Sequence, residues 1–268
     1  MFAALVLALP AHPSLAAQRA EQPAAPAAPD TAARWGYDEA PGVVPPDRWG
    51  ELPDGLACGH GHHQSPIALY TSGDQAARRV PIFPLVFMYR PVPLHLIDNG
   101  RFVSLACDSG GKVSLAGAEA RIFRVDLHAP SEHTLDGTRF PMELEFVHRG
   151  GADGPAVIVS VFVRAGAKNA ALEAILRALP SQRGGESEPA GIEIDPGALL
   201  PASRNYLDYR GSFTSPPCTE GVRWCVLRTP IEASQDQLDR YLGDPRLAHS
   251  SRPIMPTNDR PVRMGTQP

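Results

Sequence analysis

The chain has 268 residues, with 25 Lys and Arg against 29 Asp and Glu, a formal net charge of -4. That balance excludes a polybasic nucleic-acid surface, and equally an acidic solvating tail, as the main business of the molecule. Hydrophobic residues at 43% make it too apolar for disorder, while 29 Pro and 24 Gly, about a fifth of the chain, argue against a helical bundle and for many short elements joined by turns.

Residues 1–17 open with the apolar run MFAALVLAL and pass Pro10 into small residues around Ser14, Ala16 and Ala17. This is the pattern of a secretory signal without its positive leading region. The run is too short to cross a bilayer, which takes about 20 residues. Residues 18–34 are Ala/Pro-rich, with nothing to bury, and read as an extended tether. Composition is then even over 35–264, with no second linker and no repeat, so one domain is expected there. The leader predicts a secreted or periplasmic protein. No other segment has the continuous apolar length of a membrane span.

Within the domain the predicted strands are PLVFMY (84–89), RFVSLACD (101–108), KVSLAG (112–117), ARIFRVDLHA (120–129), MELEFVH (142–148), AVIVSVFVRAG (156–166) and VRWCVLRTPIE (222–232). All are alternating or β-branched runs between turn residues. Helical periodicity is confined to NAALEAILRAL (169–179) and SQDQLDRYL (234–242), each opened by an Asn or Ser that can cap it. The fold class is therefore mainly β (α+β), a large sheet with short peripheral helices. Pattern alone does not give its topology.

Five ordered segments then resemble the α-class carbonic anhydrases over nearly everything after Trp35. WGYDEAPGVVPPDRW (35–49) resembles that family's opening and CGHGHHQSPIAL (58–69) its C-x-x-G-x-x-QSPI turn. LIDNGRFV (96–103) resembles its N-G-H strand, HAPSEHTLDGTRFPMELEFVH (128–148) its most diagnostic stretch, and GSFTSPPCTEGVRW (211–224) its threonine-bearing loop. The resemblance implies a central, twisted, mostly antiparallel sheet with a conical pocket, and a zinc ion held by three histidines at its bottom. Two of these lie at i and i+2 on one strand, because alternate residues share a face, and the third on the neighbouring strand. Zinc held by neutral imidazoles keeps an open position where water ionises near neutral pH, and the resulting hydroxide attacks carbon dioxide.

At those positions this chain carries Asp126, His128 and Glu145. The position resembling the proton shuttle is Arg101, and two residues before the first ligand position stands Arg124. Thr214 and Glu132 resemble the pair that orients zinc-bound hydroxide. Glu143 resembles a carboxylate behind the ligands, and His133 a structural histidine. Val147, Ile158, Phe213, Val222 and Trp224 resemble the apolar pocket wall.

Two readings of this constellation stand side by side. Asp126, His128 and Glu145 can bind a metal as one imidazole and two carboxylates. The carboxylates would then cancel most of the ion's charge and raise the pKa of its bound water, making a poor hydratase. In the preferred reading no ion, or only a weakly held one, is present. Three crowded carboxylates must take up a proton or a cation, and Arg124, helped by Arg101, is the internal cation. The predicted protein is accordingly a carbonic-anhydrase-like one, weakly active or inactive as a carbon dioxide hydratase. The alternatives are an active metal-dependent lyase using the Asp-His-Glu set, and a non-catalytic extracytoplasmic binding or interaction protein. The expected partner is a small molecule: carbon dioxide and bicarbonate, or an anionic ligand of the pocket. The sequence carries no reading of oligomeric state.

The resemblance also implies a disulfide between Cys58 and Cys218, while Cys107 and Cys225, inside apolar runs, read as buried small hydrophobes. The run HGHH (60–63) beside Cys58 reads as a solvated turn or, alternatively, as a transition-metal site outside the family pocket. The sequence holds no nucleophile elbow, P-loop, dinucleotide fingerprint or H-E-x-x-H helix.

Overall fold

Residues 34–150 and 156–265 are described by a computed structural model; the signal and nearly all of the tether expectation lie outside them. Each predicted run becomes a strand of one twelve-stranded sheet. In chain order the strands are β1 (Arg78–Arg79), β2 (Leu85–Tyr89), β3 (Leu96–Asp98), β4 (Val103–Ala106), β5 (Gly111–Leu115), β6 (Ala118–His128), β7 (Met142–Arg149), β8 (Val157–Ala165), β9 (Glu186–Ser187), β10 (Tyr206–Ser212), β11 (Glu220–Ala233) and β12 (Arg263–Met264). Across the sheet the order is β9-β3-β4-β6-β7-β8-β11-β10-β12-β1, with β5 pairing the first half of β6 and β2 pairing β5. Neighbours are antiparallel except for β8 with β11 and β12 with β1. The mostly antiparallel sheet expected above is what forms.

Parity within β6 positions the site. A strand sends alternate residues to opposite faces, yet Ile122, Val125 and Leu127 all enter the same large apolar cluster. The register against β7 shifts between Ile122 and Arg124. This bulge at Phe123 switches the parity, so that Arg124, Asp126 and His128 share the opposite face. Register then aligns Ser104, Asp126, Glu145 and Ser160 in one row across β4, β6, β7 and β8. His128 stands opposite Glu143 in the next row.

The two faces have separate cores. On one side α1 (Ala170–Arg177) and α2 (Gln235–Leu242) bury Leu172, Ile175, Leu238 and Tyr241 against Val125, Leu127 and Phe146. Asn169 caps α1 by accepting from the Leu172 amide at 2.9 Å, and Ser234 opens α2 in a capping box with Gln237. On the other side Val147, Ile158, Phe162, Val222 and Trp224 pack with Ile67, Leu69 and Tyr209, beside the charged rows.

Strand β10 is absent from the sequence expectation. Its YLDYRGS carries an Asp and an Arg in a run too polar to read as a strand, yet Asp208 is fully buried. Arg223 on β11 and Arg263 on β12 reach that carboxylate at 2.8 and 2.6 Å. The compensating cations come from neighbouring strands, which a local pattern does not see. Gly211 in the same strand has a packing reason: a Cβ there would run into Ser65 Oγ and lie 2.8 Å from the Tyr209 ring.

Candidate functional site

The β6–β7 centre gathers four buried carboxyl groups, those of Asp126, Glu132, Glu143 and Glu145, each no more than 2% exposed. Isolated charges at such burial are expensive, so each must have a partner or a proton. The structure supplies a different answer to each.

Asp126 is taken by Arg124 from its own strand, whose Nε lies 2.7 and 2.8 Å from the two carboxylate oxygens. Ser104 Oγ on β4 donates to the same group at 2.5 Å. Burial works against the guanidinium, but the Asp126 charge outweighs it and holds Arg124 above its ordinary range.

Glu143 accepts from the His133 amide at 2.9 Å, from His133 Nδ1 at 2.7 Å and from Ser160 Oγ at 2.5 Å. Burial pushes this carboxyl up, but His133 and Ser160 prevail and it stays below the usual range. The other nitrogen of His133 meets the Tyr209 hydroxyl at 2.7 Å, and Tyr209 meets Ser65 Oγ at 2.9 Å. His133 is thus spent on both sides.

Glu145 has neither cation nor donor of this kind. Burial raises it well above the carboxylate range, and Glu132, Glu143 and Asp126 push the same way. Both effects favour its protonated form. Glu145 and Glu132 lie within hydrogen-bonding reach, and among the described residues Glu145 Oε1 and Glu132 Oε2 have no other partner. One carboxyl group donating to the other accounts for both atoms. The remaining Glu132 oxygen accepts from the Arg252 amide at 2.8 Å.

His128 offers the pocket a lone pair. Its Nδ1 lies 2.5 Å from the Ser250 carbonyl, which requires the proton there. Nε2 then faces Glu145 Oε2 at 3.8 Å, beyond hydrogen-bond range. Asp126, His128 and Glu145 each present a donor atom within 4.8 Å of the others. The expected ligand positions are brought together.

Other expected residues are placed differently. Thr214 is buried on the loop after β10, but among the described residues no hydrogen bond joins it to Glu132, whose oxygens are directed to Arg252 and Glu145. The carboxyl at 145 occupies the acceptor that the resemblance assigns to threonine. Arg101 turns away from the acidic row: its Nε donates to the Trp35 carbonyl at 2.8 Å and its Cζ stands 4.0 Å over the Trp35 ring. Trp224 lies inside the second core, stacked on Tyr209 and donating to Ser212 O at 2.9 Å, while Phe213 is only partly buried.

Sequence reasoning missed Ser104, Ser250, Arg252 and Tyr37. Among the described residues the buried Tyr37 hydroxyl has no partner, and burial, then Glu132, Glu145 and Asp126, raise its pKa well above the ordinary value. Arg252 is 1% exposed and ties Gln64 Oε1, Ser65 O and Cys58 O, each at 2.8 Å. No spacing signal marks these residues, since each acts across more than a hundred residues or from an adjacent strand. The Cys58–Cys218 disulfide forms, with Cα atoms 5.0 Å apart, and Cys107 and Cys225 are free and buried.

Of HGHH, His62 and His63 converge on Asp259, whose Oδ1 lies 3.6 Å from His62 Nδ1 and 3.5 Å from His63 Nε2. His60 is outside that group.

A sheet with this order, and a three-residue donor set across two of its central strands, define the architecture of an α-class carbonic anhydrase. The sequence pattern of the family described as "Eukaryotic-type carbonic anhydrase" matches residues 45–266. A carbonic anhydrase of Nostoc sp. is 38% identical over 229 residues, covering 85% of this chain and 84% of that protein. Among solved structures, the α-carbonic anhydrase of Thermovibrio ammonificans with the inhibitor sulfanilamide superposes with a TM-score of 0.78 at 34% identity, covering 86% and 99% of the two chains. A dioscorin complexed with ascorbate gives 0.77 at 31% identity, covering 88% and 99%. The chain belongs to the eukaryotic-type, or α, carbonic anhydrase family, whose reaction is the reversible hydration of carbon dioxide.

Proposed function

We propose that this family member is a weak or inactive carbon dioxide hydratase whose central pocket is kept without the family's zinc and used for binding a small molecule. The observation that carries this reading is the Asp126 carboxylate, already held by Arg124 and Ser104. A metal would have to displace a guanidinium whose charge compensates the same group. The donor chemistry points the same way: burial and the neighbouring carboxyl groups favour the protonated form of Glu145, a poor zinc ligand, and leave His128 as the one imidazole of the set. The residues present do not fit a zinc ion of the three-imidazole kind, and no catalytic step is derived through one.

What these residues do without an ion is balance their own charge. Arg124 serves Asp126, His133 serves Glu143, and Glu145, its carboxyl pushed up by burial, lies within hydrogen-bonding reach of Glu132. Access to the pocket favours anions. Burial lowers the pKa of Arg101, Tyr37 partly opposes this, and Arg34 and Arg183 lie close enough to lower it further, so the three arginines make a positive field near Trp35. A dioscorin of the same fold has been solved with ascorbate, which supports a small anionic ligand for this pocket.

The test is metal analysis of purified protein together with a carbon dioxide hydration assay. The expected result is no zinc dependent on His128, hydration near background, and no change on Thr214→Ala. Stoichiometric zinc with turnover that disappears in Thr214→Ala would overturn the proposal. Restoring histidine at both 126 and 145 should bring zinc back while hydration stays low, because Arg124 and Arg101 remain. Full activity in that variant would make the arginines bystanders.

A further inference from the structure

We infer that His62, His63 and Asp259 form a surface site for a divalent transition metal of the zinc class, separate from the buried pocket. The first support is geometric. Zinc bonds to imidazole nitrogen and carboxylate oxygen at about 2.0–2.2 Å, so donors on a tetrahedron stand about 3.3 Å apart. Asp259 Oδ1 lies 3.6 Å from His62 Nδ1 and 3.5 Å from His63 Nε2, two edges of such a tetrahedron before any closure. All three donor atoms fall within 4.8 Å of one another. The side chains are open to solvent, with Asp259 79% exposed, so an ion can enter and keep water in the remaining position.

The second support is that the backbone is pre-positioned although the side chains are exposed. Asn258 Nδ2 donates to the His62 carbonyl at 2.6 Å, locking the two ligand-bearing arms together across 196 residues of sequence. The His63 amide donates to Glu220 Oε1 at 2.7 Å, and Gln64 Nε2 reaches the same oxygen at 3.0 Å. Gly61 makes that approach possible, since a Cβ there would lie 2.5 Å from both Glu220 Oε1 and the Ala57 carbonyl. On the other arm, Arg260 donates to Pro256 O at 2.6 Å and Thr257 O at 2.9 Å, and Asn258 takes a left-handed φ of 53°, which Asn tolerates. The Cys58–Cys218 bridge anchors the turn from behind. Two exposed histidines on a mobile tail would have to be ordered by the metal; here most of that ordering is already done.

Donor type narrows the ion. Two imidazoles and one carboxylate suit zinc, nickel or copper(II) over magnesium or calcium, which take all-oxygen shells.

The experiment titrates Zn2+ alone into the chain without a histidine tag, by calorimetry, and repeats it with Co2+ to read the visible bands of a tetrahedral N/O site. One ion per chain is expected, with a rise in melting temperature on metal addition. His62→Ala combined with His63→Ala should abolish binding. Asp259→Asn should weaken it at least about tenfold, the scale on which even an outer partner of a metal ligand acts. His128→Ala should leave it unchanged. Absence of stoichiometric binding, or binding that survives both the double histidine variant and His128→Ala, overturns the surface site and leaves the metal-free pocket standing. Loss of binding in His128→Ala, with the double histidine variant still binding, overturns both.

Discussion

At the scale of single residues, Glu145 is where the pocket departs furthest from ordinary behaviour. A buried carboxyl whose folded pKa is raised contributes stability that is complete below its unfolded value, near 4.5, and is lost as pH rises towards the raised value. Glu145→Gln keeps the shape and the neutral state and still offers a donor to Glu132. The variant is expected to match or exceed the parent in urea melts at pH 8, with a smaller loss of stability between pH 5 and pH 8. A variant that loses stability more steeply with pH than the parent would mean that Glu145 is ionised in the folded protein.

At the scale of elements, β7 carries a second buried titrating group on its last turn outward. His148 sits between the Tyr89 hydroxyl at 2.7 Å and the Val157 carbonyl at 3.1 Å. Burial pushes it from its ordinary 6.5 down to about 4. A depressed histidine supports the fold fully above pH 6.5 and loses that contribution as pH falls towards 4, a window worth roughly 3 kcal/mol at about 1.4 kcal/mol per pH unit. His148→Gln is expected to flatten the acid limb of stability between pH 6.5 and 4, checked by urea melts across that range; an unchanged limb would remove His148 from the account. The strands that hold the pocket were legible because their apolar alternation is local. Strand β10 was not, because the charges that let Asp208 be buried belong to β11 and β12.

At the scale of the whole molecule, the Cys58–Cys218 bridge ties the first turn to the loop that carries Thr214 across 160 residues. Cross-linking so long a loop removes conformational freedom from the unfolded chain and is worth about 2–5 kcal/mol. Reduction is expected to lower the urea midpoint accordingly. Arg252 holds the same turn independently, through Cys58 O, Ser65 O and Gln64 Oε1. The reduced protein should therefore remain folded at 25 °C, with its far-UV circular dichroism retained. Unfolding on reduction alone would mean that the bridge, and not the packed sheet, holds that end of the molecule.

Sequence by itself determined the sheet-rich class, the two capped helices, the family and the residue types at positions 126, 128 and 145. Each of these lies in residue type, local periodicity or motif spacing. Only the tertiary structure decided which cation answers which carboxylate. It put Arg124 and Ser104 on Asp126, set His133 against Glu143, and left Glu145 beside Glu132 with its carboxyl pushed up by burial. It also separated His62 and His63 from His60 by bringing Asp259 up to them. Charge compensation in a buried pocket is set by distances of a few ångströms between residues far apart in the chain, and by the bulge at Phe123 that turns three side chains to one face. A net charge of -4 carries none of that information.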